Sequence, residues 1–278
     1  LQTAILTALA VFLFAFVAYR AFNLSFTHDE SFTYTRYIDG SFMEILNYGI
    51  EPHLPNNHIL NTFGMKYFEM VFGSEPWVLR LPNLMAYTVF LLFSVLWFRK
   101  FSNPVVACCG FIVLHFNPYL LDFFSLARGY GMSFSLMFVS FYFFDRFRKS
   151  LNPKDSVKAF VIGALAVLAN FTVLNFFLAL LAVSFIGTFA KRKRNPELRL
   201  NFWKANLPAI LTFIGLFIVC YEPMRKLKKW GGLFGGESSF WQDTVMTLSQ
   251  YLSDRPETVT SGPSVIASAI SVVAVMAL

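Results

Sequence analysis

Long apolar runs separated by short polar or basic segments make up most of this chain. A helix needs about 20 apolar residues to cross the hydrocarbon core of a membrane, and runs near that length recur along the sequence. The pattern predicts an all-α polytopic membrane protein in which residues 1–278 form one transmembrane domain. We predict about seven to eight spans, at about 1–22, 79–98, 104–120, 127–145, 157–172, 173–190, 203–222 and, truncated at its C-terminal end, from about 263.

The apolar stretch 157–190 is long enough for one extended helix or for two shorter ones. Asn170, Thr172 and Asn175 lie at its centre. Polar groups at that point favour a tight hairpin that turns at the membrane surface. We therefore predict two spans here.

Lysines and arginines between the runs predict which side of the membrane each loop faces, because cytoplasmic loops are rich in both. Three basic segments fall on one side of the predicted spans, and we assign that side to the cytoplasm: 99–100, 146–158 and 191–204. The other side then carries a first outer loop, two short turns and a second long outer loop: 23–78, 121–126, 171–174 and 223–262. The net charge of +7 is mostly a result of this topology, so it does not indicate a nucleic-acid partner.

Composition supports a membrane protein. The chain is 56% hydrophobic and 14% charged, whereas charged residues make up about a quarter of a typical soluble domain. The three cysteines lie in apolar runs and indicate neither a disulfide framework nor a metal knuckle.

Two segments of the first outer loop carry apolar residues at spacings of three and four. They are IDGSFMEILNYGI (38–50) and ILNTFGMKYFEMVFG (59–73). Such spacing predicts short amphipathic helices in the membrane interface. The glycine-rich stretch WGGLFGGESSFW (230–241) has no period and predicts an irregular loop.

An acidic pair, Asp29–Glu30, follows the first span closely. Such a pair is most often a solvated feature of a loop. At a membrane interface beside aromatic residues, however, a carboxylate is partly desolvated and suited to take a proton from a hydroxyl. Asp29 is the candidate base, and Glu30 would orient it or hold a second ligand.

The loop EPHLPNNHILN supplies further candidates, His53, Asn57 and His58. Its prolines predict an extended, ordered segment. A single loop histidine is usually structural, but a histidine among asparagines near an acidic pair is suited to bind substrate. A divalent metal held by Asp29, Glu30 and His58 is a weaker alternative, because the histidines lack a ligand spacing.

The segment SLARGYG places Arg128 and Tyr130 at the outer end of the fourth span. A boundary arginine commonly reaches to lipid headgroups. It is also suited to grip a phosphate bidentately, and the N-terminus of a helix adds a favourable dipole. Asp122 is a competing partner for Arg128. For Arg80 we favour a structural role, and the basic run at 225–229 either holds an anionic lipid or is solvated.

Taken together, these segments resemble a known family. The resemblance rests on Asp29–Glu30 after the first span, NNHILN (56–61), FG (72–73) with RLP (80–82) leading into the second span, and Ala-Arg-x-Tyr (127–130) opening the fourth. This ordered set is similar to that of the GT-C membrane glycosyltransferases, in the branch that contains protein O-mannosyltransferases and the lipid A aminoarabinose transferase. It covers about residues 1–190.

The resemblance implies a GT-C fold and an enzyme that moves a sugar from a polyprenyl-phosphate donor to a hydroxyl of a glycan, lipid or protein. It implies that Asp29 is the general base, that Glu30 and His58 shape the acceptor or metal site, and that Arg128 binds the donor phosphate. The short loops favour a bacterial inner membrane with the site on the periplasmic face. Two alternatives stay open from the sequence: a lipid flippase or transporter, and a non-catalytic membrane subunit.

Overall fold

The computed structural model describes residues 1–194, 199–232 and 241–246, and all regular elements in these residues are helical. Residues 1–230 form one compact unit. A second unit begins at Gly231, and its described part contains a π-helical turn, Trp241–Met246. The helices of the first unit are α1 (Gln2–Asn23), α2 (His28–Tyr37), α3 (Phe42–Leu46), α4 (Ile59–Phe72), α5 (Pro76–Phe98), α6 (Pro104–His115), α7 (Pro118–Ser125), α8 (Gly129–Ser150), α9 (Pro153–Ala169), α10 (Leu174–Arg194) and α11 (Arg199–Lys229).

Four segments in the described part of the chain are long and apolar enough to cross a membrane: Gln2–Asn23, Pro76–Phe98, Phe171–Lys191 and Phe202–Lys229. The pair α6 and α7 adds a fifth if its two helices form one span. The prediction of an all-α protein with several candidate membrane spans is therefore confirmed for the described residues, but the predicted spans at 127–145 and 157–172 are not among the helices that qualify by length and composition. The predicted span from 263 lies outside the described residues.

The predicted span at 104–120 is not one straight helix. Helix α6 ends at His115, and α7 leaves it at an angle of 60°. Pro118 is the first residue of α7, and the Asn117 side chain accepts hydrogen bonds from the next two N–H groups. A proline disfavours helical backbone in the residue before it, and asparagine is a preferred N-cap, so this dipeptide ends one helix and begins another.

The predicted hairpin within 157–190 is confirmed. Helix α9 ends at Ala169, a single 3₁₀ turn covers Phe171–Val173, and α10 begins at Leu174. The Asn170 side chain accepts hydrogen bonds from the N–H and the hydroxyl of Thr172, at 3.0 Å each. The Asn170 side chain therefore supplies hydrogen bonds that stabilise the turn between the two helices.

Both amphipathic segments of the first outer loop contain a helix, although α3 is only five residues long. A third helix, α2, was not predicted, and it carries the acidic pair. Its start is a capping box, in which Thr27 accepts from the N–H of Glu30 and the Glu30 side chain accepts from the N–H of Thr27. Helix α11 also continues to Lys229, past the predicted start of the second outer loop.

Two large hydrophobic clusters, together with two smaller ones, form the core of the first unit. One joins α1 to α5, α6 and α7, where Leu13 and Val17 meet Tyr87, Phe90 and Phe124. The other joins α8, α9, α10 and α11. Helix pairs in a membrane associate by close packing, so these clusters define which helices are neighbours.

The segments predicted to share the outer face meet at one end of the bundle. The N–H of Ala127 donates to Glu30, the rings of Tyr48 and Phe171 stack at 5.8 Å, and Lys226 donates to the carbonyl of Asn47. Lys191 and Arg148, from two of the predicted cytoplasmic segments, also meet. The helices therefore place the polar outer segments together, as the alternation of spans predicts.

Candidate active site

An ion pair between Asp29 and Arg128 lies at the centre of the polar end of the bundle. Nη1 of Arg128 is 2.7 Å from Oδ2 of Asp29, and the two side chains are 22% and 39% exposed. Asp29 is in the first turn of α2, and Arg128 is the N-cap residue of α8. The structure thus brings together the two residues that the sequence singled out, in a position that a ligand can reach.

Asn56 also contacts Asp29, whose Oδ1 lies 3.9 Å from Nδ1 of the exposed His28 as well. The Nδ2 of Asn56 donates to Oδ1 of Asp29 at 3.1 Å, and its carbonyl accepts from the Thr33 hydroxyl of α2 at 3.2 Å. The predicted ligand was the next residue, Asn57. That side chain is buried and is used within the loop, donating to the carbonyl of Ile45 and accepting from Thr62. The side chain that reaches Asp29 is therefore that of Asn56 and not that of the predicted Asn57.

His58 lies beside the pair as a buried, neutral ligand group. Burial lowers the pKa of His58 to about 4, and the positive charge of Arg128 acts in the same direction against the opposing effect of Asp29. The Nε2 atom of its ring is buried and has no hydrogen-bond partner. An imidazole nitrogen in this state is able to donate to or accept from a bound molecule.

Tyr130 forms an aromatic wall of the same site. Its ring stacks on Phe123 at 4.8 Å and meets the edge of the His58 ring at 5.0 Å. The guanidinium of Arg128 lies 4.9 Å from the centre of the Tyr130 ring. These contacts hold the cation between a carboxylate and an aromatic face.

Gly129 allows the turn before α8 to approach its neighbours closely. A Cβ at this position would lie 2.1 Å from the carbonyl oxygen of Ala169 and 2.6 Å from Cβ of His58. Neither atom is the end of a flexible side chain. The backbone of the site therefore depends on the absence of a side chain here.

We expect Gly129→Ala to lower the free energy of unfolding by about 1–3 kcal/mol, because the added methyl overpacks a fixed site. Thermal unfolding in detergent measures the change. Gly187→Ala is the matched control, since a Cβ there meets nothing within 4 Å. Equal unfolding temperatures for the two variants would contradict the close approach at Gly129.

Glu30 does not line the site with Asp29. It forms a fully buried, bidentate pair with Arg80, with both nitrogen–oxygen distances at 2.8 Å. It also accepts from the N–H groups of Ala127 at 2.6 Å and Thr27 at 2.9 Å. Burial alone would raise the pKa of Glu30, but these hydrogen bonds outweigh it and hold the pKa below its usual value. Glu30 is therefore buried in an ion pair that holds α2, and it is not placed beside Asp29 where a ligand could reach it, as its predicted catalytic role requires.

Arg80 has the structural role expected for it. Its remaining donors reach the carbonyls of Ala21, Leu24 and Ser25 at the end of α1, at 2.8 to 2.9 Å. The five N–H groups of an arginine are thus all used. The Glu30–Arg80 pair therefore joins the end of α1, the start of α2 and α5 close to Asp29.

His53 is not part of the group around Asp29. Its ring meets the edge of Trp230 at 5.2 Å, and its Nδ1 lies 3.2 Å from the carbonyl oxygen of Ile50. Asp122, the competing partner for Arg128, pairs instead with Arg20. The predicted substrate-binding set therefore divides into His58, Arg128 and Tyr130 at Asp29, and His53 at a separate cleft.

The metal alternative finds no ligand set in the described residues. No group of three or more His, Cys, Asp or Glu side chains in those ranges is placed to hold a metal ion. Both oxygens of Glu30 are occupied by Arg80 and backbone donors. Asp29, Glu30 and His58 are therefore not assembled as metal ligands.

Comparison with protein-family models, with curated proteins and with solved structures gives no match in any of the three. We therefore infer the activity from the residues of this chain.

Proposed function

We propose that this protein is an integral-membrane glycosyltransferase of the GT-C type, which moves a sugar from a polyprenyl-phosphate donor to a hydroxyl acceptor. The observation that carries the proposal is the accessible pair of Asp29 and Arg128, a base and a phosphate ligand 2.7 Å apart at one end of an apolar bundle. Neutral His58, with its unpartnered Nε2, supplies a third polar group.

The reaction is a single displacement. The acceptor oxygen gives its proton to Asp29 and forms a bond to the anomeric carbon. The bond between that carbon and the phosphate oxygen breaks, and the electron pair leaves with the lipid phosphate. Arg128 stabilises the charge that develops on the phosphate, and the anomeric centre inverts.

Donor binding also frees the base. The ion pair uses Nη1 of Arg128, whereas a guanidinium has five donors arranged in a fork. A phosphate accepts two of these at once and competes with Asp29 for the cation. Asp29 then turns to the acceptor hydroxyl, with Asn56 still holding its other oxygen.

The bundle suits a lipid donor. If α8 and α9 also cross the membrane, then α1, α5, the α6–α7 pair, α8, α9, α10 and α11 give seven crossings, and the site lies at the outer surface. The polyprenyl tail lies among membrane lipids against exposed phenylalanines such as Phe12, Phe16 and Phe217. The membrane is proposed to be a bacterial inner membrane, with the acceptor glycan, lipid or protein on the periplasmic side.

The test uses purified protein in lipid nanodiscs with a polyprenyl-phosphate sugar labelled in both the sugar and the lipid. Free polyprenyl phosphate should appear together with the sugar on a hydroxyl acceptor from a membrane or envelope extract. A flippase or transporter, the main alternative, leaves the sugar attached to the lipid. Intact donor after prolonged incubation with every acceptor fraction would contradict the proposal.

We expect Arg128→Ala to weaken donor binding by about 10- to 100-fold, because a hydrogen-bonded charge to the phosphate is lost. Arg128→Lys keeps the charge but not the fork, so its loss should be smaller yet measurable. Titration of labelled donor into each variant gives the affinities. Arg36→Ala removes an exposed arginine from the same end of the protein and should bind as the unaltered chain does.

A further inference from the structure

A cleft of about 260 Å³ lies between the first outer loop and the end of α11. Its lining residues are Glu51, His53, Arg225, Lys226, Lys229 and Trp230. Three cations thus face one carboxylate, beside an indole ring that is 44% exposed. The cleft is positively charged and has an aromatic wall.

Several of its side chains are held in place. His53 is buried against Trp230, and Lys226 donates to the carbonyl of Asn47 at 2.8 Å. Arg225 is fixed by two hydrogen bonds to Glu222, at 2.6 and 2.7 Å. Lys229 lies exposed, and none of the ion pairs among the described residues includes it. One cation is therefore available to a ligand while its neighbours define the shape of the cleft.

One loop contributes residues both to the cleft and to the candidate active site. Glu51 and His53 begin the loop whose later residues, Asn56 and His58, contact or adjoin Asp29. Three residues of extended chain span at most about 11 Å. The Cα atoms of His53 and Asn56 are therefore within that distance of each other, which is about the length of two sugar rings.

We propose that this cleft is the acceptor subsite, and that it binds a sugar carrying an oxyanion, a carboxylate or a phosphate. The inference rests on the proposed glycosyltransferase activity and names the class of its acceptor. The oxyanion pairs with Lys229, the ring packs on Trp230, and Glu51 accepts from a hydroxyl. The acceptor hydroxyl then extends along the loop towards Asp29.

The lining favours a sugar over an anionic membrane surface. A surface of lipid phosphates offers Glu51 no donor, whereas a sugar hydroxyl donates to it. A single sugar ring matches a cleft of this volume, which is small among ligand pockets. The imidazole and the indole supply surfaces for the sugar ring, and the carboxylate accepts from its hydroxyls. These groups surround the one cation that pairs with the oxyanion.

Binding is tested with methyl glucuronide as the probe and methyl glucoside as its neutral counterpart, using saturation-transfer NMR on protein in phosphatidylcholine nanodiscs. We expect the glucuronide to bind, and Lys229→Gln to weaken it by about 10-fold. Trp230→Ala should also weaken it. Lys228→Gln is the matched control, because Lys228 is exposed on the same helix end but does not line the cleft.

Three results would overturn the proposal: equal binding of the two glycosides, equal affinity for inorganic phosphate, or displacement of the glucuronide when phosphatidylglycerol replaces phosphatidylcholine. The last would assign the cleft to a lipid headgroup. Asp29, the proposed base, does not line the cleft, so glucuronide binding and sugar transfer are separate measurements. Glucuronide binding without any sugar transfer would therefore refute the enzyme and leave the binding site standing.

Discussion

Asp29→Asn should lower the rate of sugar transfer by about 10²- to 10⁴-fold while the protein stays folded and binds its donor. The amide has the shape of the carboxylate and still meets Arg128 and Asn56, but it cannot take a proton at neutral pH. The ion pair that is lost is partly exposed, at 22% and 39%, so its removal should change stability by no more than about 1 kcal/mol.

The measurement compares product formation at saturating donor with donor binding on the same samples. Asp39→Asn is the matched control, because it removes the same charge from an exposed position just beyond α2. Its rate should equal that of the unaltered protein. An Asp29→Asn variant that transfers sugar at the unaltered rate would show that Asp29 is not the base.

Glu30→Gln should have the largest effect on stability, a loss of roughly 3–5 kcal/mol in the free energy of unfolding. The substitution leaves the buried Arg80 guanidinium without its carboxylate, in a site where both side chains are fully buried. It also weakens the contacts to Ala127 and Thr27 that fix α2. Sugar transfer should fall as well, because Asp29 is carried on the first turn of that helix.

Denaturant unfolding in detergent separates this variant from Asp29→Asn, which loses activity without losing stability. Asp145→Asn serves as the control, since its pair with Lys149 is largely exposed on the lysine side and should contribute little. If Glu30→Gln unfolded at the same denaturant concentration as Asp145→Asn, the buried pair would not hold the site together.

The hydrophobic pattern predicted the long helices, but it predicted neither α2 nor every break between helices. Most predicted spans correspond to a helix within a few residues, because length and apolarity decide a span. The break at Asn117–Pro118 and the start of α2 at Thr27 both depend on capping groups. Each has a local signal in the sequence: the break has an Asn-Pro dipeptide, and the start of α2 has a T-x-x-E capping box. A hydropathy pattern contains neither signal.

Within the site, the sequence singled out segments that the structure brings together, but in two cases it did not distinguish which of two neighbouring residues faces the site. Asp29 and Glu30 are adjacent on a helix and point about 100° apart, so one faces the cleft and the other the core. Which does so depends on the phase of α2, and the partner that settles it, Arg80, is 50 residues away. Asn56 and Asn57 also differ in burial, because the conformation of the loop determines which of the two side chains is buried.

A double-mutant cycle on sugar transfer tests most directly whether Asp29 and Arg128 form one reaction centre. The rates of Asp29→Asn, Arg128→Gln and the double variant are compared with that of the unaltered protein, using doubly labelled donor. Residues that act as a unit give non-additive losses, so the double variant should be little slower than the slower single variant. Losses that multiply would mean that the two residues act separately, and an unaltered protein that releases no polyprenyl phosphate would contradict the account altogether.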